Sequence, residues 1–290
     1  MDNLEERIKA SIEDPNGELW FPELTADLAA RAWNSLQREI GLTPGTYGTE
    51  RLLSRNLSTP REIIASLSTC PSTCATALPV SIEVLTPARE AHYQRHDVTF
   101  YAPDKILNTT ILPCVEDALA MINQVPSLMT TVVTLVRSLH VIKPEDEDHD
   151  VSFSEPHVPF SVFVSVPEER IPNDALRVAE AIVHEAMHLQ LTLVENAFPL
   201  VTKSSQKYYS PWTGTYRSGR GVLHAIYVFR VIDRFLSQLT SSEKLGSNIK
   251  RYGNARREEI GRQINGVERF QYCPELNSIG SNFVKTLVRA

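Results

Sequence analysis

The sequence has neither a long hydrophobic run nor an export signal. No apolar stretch approaches the roughly 18 residues needed to span a bilayer. Residues 1–6 are acidic and polar, without the basic region and apolar stretch that begin a signal peptide. We therefore expect no membrane segment and a cytoplasmic location, where stable disulfides do not form.

Cysteine is scarce, with four residues among 290. Cys70 and Cys74 have three residues between them, but no second pair lies nearby to complete a zinc ribbon, so we interpret them as reduced thiols. An excess of basic residues is also missing, because the net charge is −6. This argues against a nucleic-acid partner, whose phosphates favour a basic surface.

The composition that remains is that of a globular protein. Hydrophobic residues make up 42% of the chain and charged residues 22%, enough for one large core or two modest domains. The acidic run at 145–150 is the best candidate boundary, and we interpret it as a solvated loop because it lacks the glycine and spacing of a calcium loop. We predict a mainly helical part at residues 1–149 and a catalytic part at residues 150–290, packed as one compact unit.

Apolar periodicity and proline positions predict more helices than strands. Residues 4–39 are predicted to be helical, with breaks near Pro15 and Pro22, and another helix is predicted to begin at about residue 60. Further helices are predicted at residues 111–125, 128–139, 172–196 and 220–239. Strands are predicted at residues 98–101 and 159–167. The second of these is rich in Val and Phe and is bracketed by prolines. We expect an α+β fold, mostly helical with a small β-sheet.

The motif His184-Glu185-Ala186-Met187-His188 lies in the first of two long predicted helices. Histidines four residues apart project from one helix face, about one turn apart, so both imidazoles can reach a single ion. The helix contains no internal Gly or Pro that would disturb this arrangement. The alternative is a pair of histidines that share a face without a ligand.

The third ligand distinguishes the classes of enzyme that use this motif. Residues 189–194 contain neither the glycine nor the histidine of metzincin proteases. Glu195 lies on the same face, but it is about 10 Å further along the helix axis than His188. The later glutamates lack the Asp that follows the third ligand of thermolysin-like enzymes. His224, near the start of the second long helix, is the best remaining candidate, which predicts a metal site between the two helices.

Two arginines stand just before His224. Segment 208–220 is rich in aromatic residues and glycine, and it contains Arg217 and Arg220. Because a guanidinium binds a carboxylate through two parallel hydrogen bonds, a metal beside these arginines suits an acidic co-substrate. Arg220 is the first choice, since it precedes His224 by one helical turn. The alternative is a pair of surface charges.

Four stretches together resemble the HExxH-motif proteins encoded with ribosomally synthesised, modified peptides. Members of that family act as iron- and alpha-ketoglutarate-dependent peptide β-hydroxylases. The stretches are 150–156 with 159–165, then 180–191, 209–212 and 220–229. The resemblance is specific over residues 150–290 and faint over the first 110. The family often has an arginine after Ser-Pro-Trp, where this chain has Thr213, and this shifts the expected role to the two arginines further on.

The resemblance implies Fe(II), alpha-ketoglutarate and a precursor-peptide substrate. The implied residues are His184, His188 and His224 for the metal, Arg217, Arg220, Ser210 and Trp212 for the co-substrate, and Glu185 as the catalytic carboxylate. Imidazole ligands suit iron, and open coordination positions are needed for co-substrate and oxygen. In this interpretation Glu185 orients a ligand or the oxygen site rather than activating water. The implied reaction is hydroxylation of the β-carbon of a side chain in a ribosomal precursor peptide.

Two other functions stay open on the sequence. A zinc peptidase or amidohydrolase would use Glu185 as the general base on zinc-bound water, and the absent protease-type third ligand counts against it. A non-enzymatic peptide-binding protein would have a structural or lost metal site, and the complete two-histidine motif counts against that. The edge of the strand at 159–167 would hold an extended peptide by strand addition under either enzyme class.

Overall fold

The computed structural model describes residues 4–14, 17–39, 62–67, 80–85, 87–94, 97–145, 151–154, 160–243 and 245–289. The chain forms two compact units. We name Ala26–Leu189 the sheet unit, and Met1–Thr25 together with Gln190–Ala290 the helical unit. The boundary expected between residues 149 and 150 stays a prediction, since residues 146–150 of the acidic run lie outside the described residues. Cys70 and Cys74 lie outside them as well.

The sheet unit contains a mixed, five-stranded sheet. Its strands are β1 (Glu62–Leu67), β2 (Val80–Val84), β3 (Ser138–Ile142), β4 (Ser152–Phe153) and β5 (Ser161–Ser165). Their order across the sheet is β1-β2-β3-β5-β4. The three inner strands run parallel, and the two edge strands are antiparallel to their neighbours. Every residue of β3 and β5 is buried, as expected for parallel strands covered on both faces.

The helices that lie wholly or partly in the sheet unit precede and include the long motif helix. They are α2 (Pro22–Glu39), α3 (Pro87–Gln94), α4 (Pro103–Asn108), α5 (Ile111–Ile122), α6 (Pro126–Leu135) and α7 (Asp174–Ala197). Proline opens α4 and α6, where its fixed φ suits the first turn and its missing N–H removes no helical hydrogen bond. Residues 190–197 of α7 belong to the helical unit.

The helical unit is built around one long, amphipathic helix. Its elements are α1 (Leu4–Glu13), β6 (Lys207–Ser210), β7 (Thr215–Ser218), α8 (Gly219–Thr240), α9 (Ser247–Asn265), a 3₁₀ helix (Glu268–Tyr272) and α10 (Ser278–Arg289). Strands β6 and β7 form a hairpin that turns at Gly214, whose φ of 62° favours glycine. Ser218 caps α8 by accepting a hydrogen bond from the N–H of Gly221 at 3.2 Å.

Several predictions of secondary structure are confirmed. The fold is α+β, mostly helical with a small sheet. The helices predicted at 172–196 and 220–239 are α7 and α8, and β5 forms the centre of the strand predicted at 159–167. None of the helices in the described part of the chain combines the length and hydrophobicity that a membrane crossing requires.

Three predictions of secondary structure are wrong. The segment after residue 60 forms strand β1 rather than a helix. The helix predicted at 128–139 ends at Leu135, and strand β3 begins three residues later at Ser138. At 98–101 there is no strand, because Phe100 alone forms an isolated bridge, with Ile142.

Candidate metal site

Helix α7 carries the two motif histidines at the predicted spacing. It begins at Asp174, whose carboxylate accepts hydrogen bonds from the Arg170 guanidinium and from the N–H of Ala175. An acidic residue at this end is favoured by the helix dipole. No Gly or Pro interrupts the helix as far as Ala197, so His184 and His188 stay one turn apart on one face.

The two motif imidazoles converge. Their Nε2 atoms are 3.1 Å apart, and their ring centroids are separated by 4.7 Å. Metal–nitrogen bonds of about 2.0–2.1 Å at angles between 90° and 110° would separate two ligand nitrogens by roughly 2.9–3.4 Å. The side chain of His184 is one-quarter exposed, which leaves solvent access to the pair. The same separation suits a direct N–H···N hydrogen bond between the rings, so the geometry of these two residues fits either that bond or an ion bound to both.

Glu185 projects from the same helix into a buried position. Its Oε1 accepts a hydrogen bond from the Ser152 hydroxyl at 2.8 Å, and its Oε2 accepts one from the Ser154 hydroxyl at 3.0 Å. Oε1 also lies 4.0 Å from His184 Nε2. Burial raises the pKa of Glu185 to about 7, although the serine hydrogen bonds oppose that shift. The carboxylate therefore connects α7 to the edge of the sheet.

Ser152 and Ser154 were missed by sequence reasoning. In a strand, residues two apart lie on one face, so the pattern Ser-Phe-Ser presents two hydroxyls on one side of β4 and one aromatic ring on the other. Phe153 accordingly packs against Phe163, with ring centroids 4.5 Å apart. This alternation was visible in the sequence, but the partner of the two hydroxyls was not.

Strand β4, rather than β5, is the edge of the sheet next to Glu185. The expectation that the strand at 159–167 offers its edge to a peptide is wrong, because β5 pairs with β3 on one side and β4 on the other. Ser165 N–H donates to the carbonyl of Val151 at 2.9 Å. Hydrogen-bonded and non-hydrogen-bonded pairs alternate in an antiparallel ladder, so the main-chain N–H and C=O of Ser152 point away from β5.

In the helical unit, His224 forms a buried cluster with a carboxylate. His224 Nε2 lies 2.8 Å from Glu195 Oε2, and the same oxygen accepts a hydrogen bond from Arg220 Nε at 2.6 Å. Burial alone would raise the pKa of Glu195, but the hydrogen bonds and charges of His224 and Arg220 outweigh it and lower that pKa. Arg220 and His224 face the same side of α8, as their spacing predicted.

This cluster gives Glu195 a role that sequence reasoning did not assign. Glu195 was considered only as a ligand of the ion at His184 and His188, whereas its observed partners are His224 and Arg220. Within the described residues, no group of three or more His, Cys, Asp or Glu side chains is arranged to hold a metal ion. The role of His224 as third ligand therefore stays a prediction.

The other candidate co-substrate residues belong to the hairpin. Ser210 is fully buried, and its Oγ has no hydrogen-bond partner among the described residues. Trp212 stacks on Phe229 with ring centroids 5.2 Å apart, and its buried indole N–H likewise has no such partner. Arg217 is exposed and lies beside Gly221. Unsatisfied buried polar atoms are costly, so a bound polar molecule or water at Ser210 and Trp212 would be stabilising.

Comparison with known proteins gave no match, either to a protein-family model or to a curated protein. We therefore infer the function from the geometry of the motif histidines, Glu185 and the hairpin residues.

Proposed function

We propose that this protein is a non-haem iron, alpha-ketoglutarate-dependent oxygenase that hydroxylates the β-carbon of a side chain in a ribosomal precursor peptide. The observation that carries the proposal is the 3.1 Å separation of the His184 and His188 Nε2 atoms, which fits two ligands of one ion. His224 is proposed as the third ligand. Iron bound there would supply the oxidative chemistry, with alpha-ketoglutarate as the source of two electrons.

The protein's own residues would bind and orient the reactants. Arg220 or Arg217 would hold the distal carboxylate of alpha-ketoglutarate through paired hydrogen bonds. Ser210 and Trp212 would offer their unsatisfied polar atoms to the same co-substrate. These assignments suit an acidic, planar ligand, because an arginine fork matches a carboxylate in both charge and shape.

The edge strand β4 supports a peptide as the substrate. The outward-facing main chain of Ser152 can pair with an extended peptide, while its side chain contacts Glu185 on the motif helix. A peptide added there would lie next to the serine whose hydroxyl binds Glu185. Synthesis of a precursor peptide on ribosomes is consistent with the cytoplasmic location that we propose for the reaction.

A zinc peptidase or amidohydrolase is the second candidate. The observation that favours it is the pKa of Glu185, raised to about 7 by burial, because a general base works best near the operating pH. Both carboxylate oxygens already accept serine hydrogen bonds, however, and this favours a positioning role.

The deciding experiment is anaerobic reconstitution with Fe(II), followed by addition of oxygen, alpha-ketoglutarate and a candidate precursor peptide. We expect succinate to form and the intact peptide to gain 16 Da by mass spectrometry. His184→Ala and His188→Ala should each lose most of the bound metal in elemental analysis. Peptide fragments formed with zinc under nitrogen would favour the second candidate, and full metal content in both variants would exclude the site.

The third ligand has its own test. We expect His224→Ala to weaken metal binding more than Glu195→Ala. Glu195 lies about 10 Å along the helix axis from His188, and His224 would have to exchange its contact with Glu195, at 2.8 Å, for the ion. Titration of the metal-free protein with Fe(II) under nitrogen measures both affinities. An empty site in Glu195→Ala, together with a full site in His224→Ala, would reverse the assignment.

A further inference from the structure

The hairpin formed by β6 and β7 exposes a pair of aromatic residues. Tyr209 and Tyr216 face each other across the two strands, with ring centroids 5.8 Å apart. Their exposed fractions are 51% and 70%. Tyrosine is enriched at binding surfaces because it offers a large apolar area and a polar tip at low entropic cost. An exposed cross-strand pair is therefore a candidate contact surface.

The opposite face of the hairpin is anchored to the body of the helical unit. Tyr208 packs edge-on against Phe270 with centroids 5.3 Å apart, and its hydroxyl accepts a hydrogen bond from the Cys273 thiol at 3.1 Å. Ser210, on the same face as Tyr208, is fully buried. Because side chains alternate along a strand, this anchoring holds Tyr209 and Tyr216 outward.

The segment that contains the hairpin has an excess of basic residues, although the chain as a whole is acidic. Residues 196–232 contain five Lys or Arg and no Asp or Glu, whereas the net charge of the protein is −6. Two of the five, Arg220 and Arg230, form ion pairs with Glu195 and Asp233 just outside this range. The side chains of Lys203 and Lys207 are exposed and form no hydrogen bond or ion pair with any described residue. Lys207 stands two residues from Tyr209 and therefore shares its face of β6. The surface favours an anionic partner.

The hairpin also has unpaired strand edges. Within the described part of the chain, β6 and β7 form a two-stranded sheet with each other alone. The outer edge of such a strand presents main-chain N–H and C=O groups that can pair with another extended chain. The main chain of an extended peptide can therefore pair with this strand edge, while carboxylate side chains of the same peptide can contact the lysines.

We propose that the outward face of the hairpin, with Lys207, Tyr209 and Tyr216, binds an acidic, extended segment of a peptide partner together with Lys203 in the segment that leads into β6. We name these four residues the hairpin face. Carboxylates of the partner contact the lysines, its main chain pairs with the strand edge, and its apolar groups cover the tyrosines. The observations favour peptide over nucleic acid, because the net charge is −6 and the two rings meet at 69° rather than forming parallel stacking platforms. This binding is additional to the proposed oxygenase activity and does not depend on it.

The test measures binding by the full chain without metal or co-substrate. The probe is a fluorescein-labelled, twelve-residue peptide of alternating Glu and Val, followed by fluorescence anisotropy at low salt. We expect Lys203→Glu/Lys207→Glu to weaken binding at least tenfold, because two attractive charges become repulsive. Tyr209→Ser/Tyr216→Ser should weaken it severalfold without changing the charge. All four positions are exposed, and circular dichroism checks that the variants fold.

The matched control is Arg262→Glu/Arg289→Glu, which makes the same charge change at two exposed positions on α9 and α10. We expect the affinity of this control to stay within about twofold of that of the parent protein. The proposal is overturned if the acidic peptide does not bind, if both hairpin variants bind it unchanged, or if the control loses as much affinity as the lysine variant. Tighter binding of a twelve-nucleotide oligothymidine, or of an alternating Lys and Val peptide, would also overturn it. Because Arg217 and Arg220 are intact in these variants, iron-dependent succinate formation tests the oxygenase proposal separately.

Discussion

Single residues of the candidate site differ in how far the sequence predicted them. The convergence of His184 and His188 follows from their spacing on a helix and needed only local reasoning. Ser152 is 33 residues from Glu185, and its contact depends on how β4 pairs with the sheet. The contact of Glu195 with His224 spans 29 residues and depends on packing within the helical unit. Residue type and local period do not determine such contacts.

The serines that bind Glu185 should contribute to stability. Ser152→Ala/Ser154→Ala removes two donors from a buried carboxylate, and we expect a loss of about 1–3 kcal/mol for each hydrogen bond in the free energy of unfolding. Urea denaturation of the metal-free protein measures this loss. In a Glu185→Leu background the same two substitutions should cost little. Equal losses in both backgrounds would show that the serines act through other contacts.

The thiol of Cys114 should be unreactive in the folded protein. Burial, followed by the nearby Asp174 carboxylate, raises its pKa to about 12. An acid with a raised pKa keeps its proton, so almost no thiolate, the reactive form, exists at pH 8. We expect iodoacetamide at pH 8 to label Cys114 only after denaturation, as measured by peptide mapping. Rapid labelling of the native protein would contradict both its burial and its pKa.

Among the secondary-structure elements, the long helices were the most predictable. Helix α7 has no interior Gly or Pro, and α8 buries one face along its whole length, so the 3.6-residue period is clear. Strand β5 was predicted from its β-branched and aromatic residues between prolines. In these elements the secondary structure that the residue types prefer is also the one that buries their apolar side chains.

Strands β1 and β3 of the sheet were harder to recognise. Strand β3 follows α6 after two residues, and all of its residues are buried. A fully buried strand has a continuous apolar pattern that periodicity cannot separate from a buried helix. Strand β1 follows Pro60, and this proline suggested the start of a helix. The segment is nevertheless extended, because it pairs with β2. Tertiary pairing therefore overrides local signals in this sheet.

Packing of α10 depends on a glycine. A Cβ at Gly280 would lie 2.5 Å from the main-chain carbonyl oxygen of Leu200, which cannot move as easily as a flexible side chain. We expect Gly280→Ala to lower the free energy of unfolding by about 1–3 kcal/mol. Gly261 on α9 has open space at the Cβ position, so Gly261→Ala should instead stabilise the protein by about 0.5–1 kcal/mol. Urea denaturation compares the two, and effects of the same sign would contradict this packing argument.

At the scale of the whole molecule, a buried polar network connects segments of the helical unit that are distant in the chain. The Tyr227 hydroxyl donates to the carbonyl of Leu19 at 2.8 Å and contacts the side-chain oxygen of Gln190. The Gln190 amide in turn donates to the carbonyl of Trp20 and to Thr25. This network attaches the segment before and at the start of α2 to residues roughly 170–210 positions further along the chain. The sequence contained no local signal for it.

Removing the Tyr227 hydroxyl, which lies at the centre of this network, should destabilise the helical unit. Tyr227→Phe leaves the Leu19 carbonyl and the Gln190 side chain without this donor in a fully buried place, and we expect a loss of about 1–3 kcal/mol. Tyr216→Phe is the matched control, because its ring is 70% exposed, and it should change stability by less than about 0.5 kcal/mol. Urea denaturation measures both, and an equal effect of the two substitutions would contradict the importance of the network.

Because Arg220 already forms an ion pair with Glu195, this internal carboxylate competes with any external anion for the arginine. Any carboxylate that engages Arg220 Nε has to displace Glu195 Oε2, which now lies 2.6 Å away. The measured dissociation constant then equals the intrinsic constant divided by the fraction of molecules in which the pair is open. Salt would act in two opposing ways, since it weakens the internal pair and screens the incoming anion. Affinity for an acidic ligand at this arginine would therefore vary less with ionic strength than at a cation without a partner.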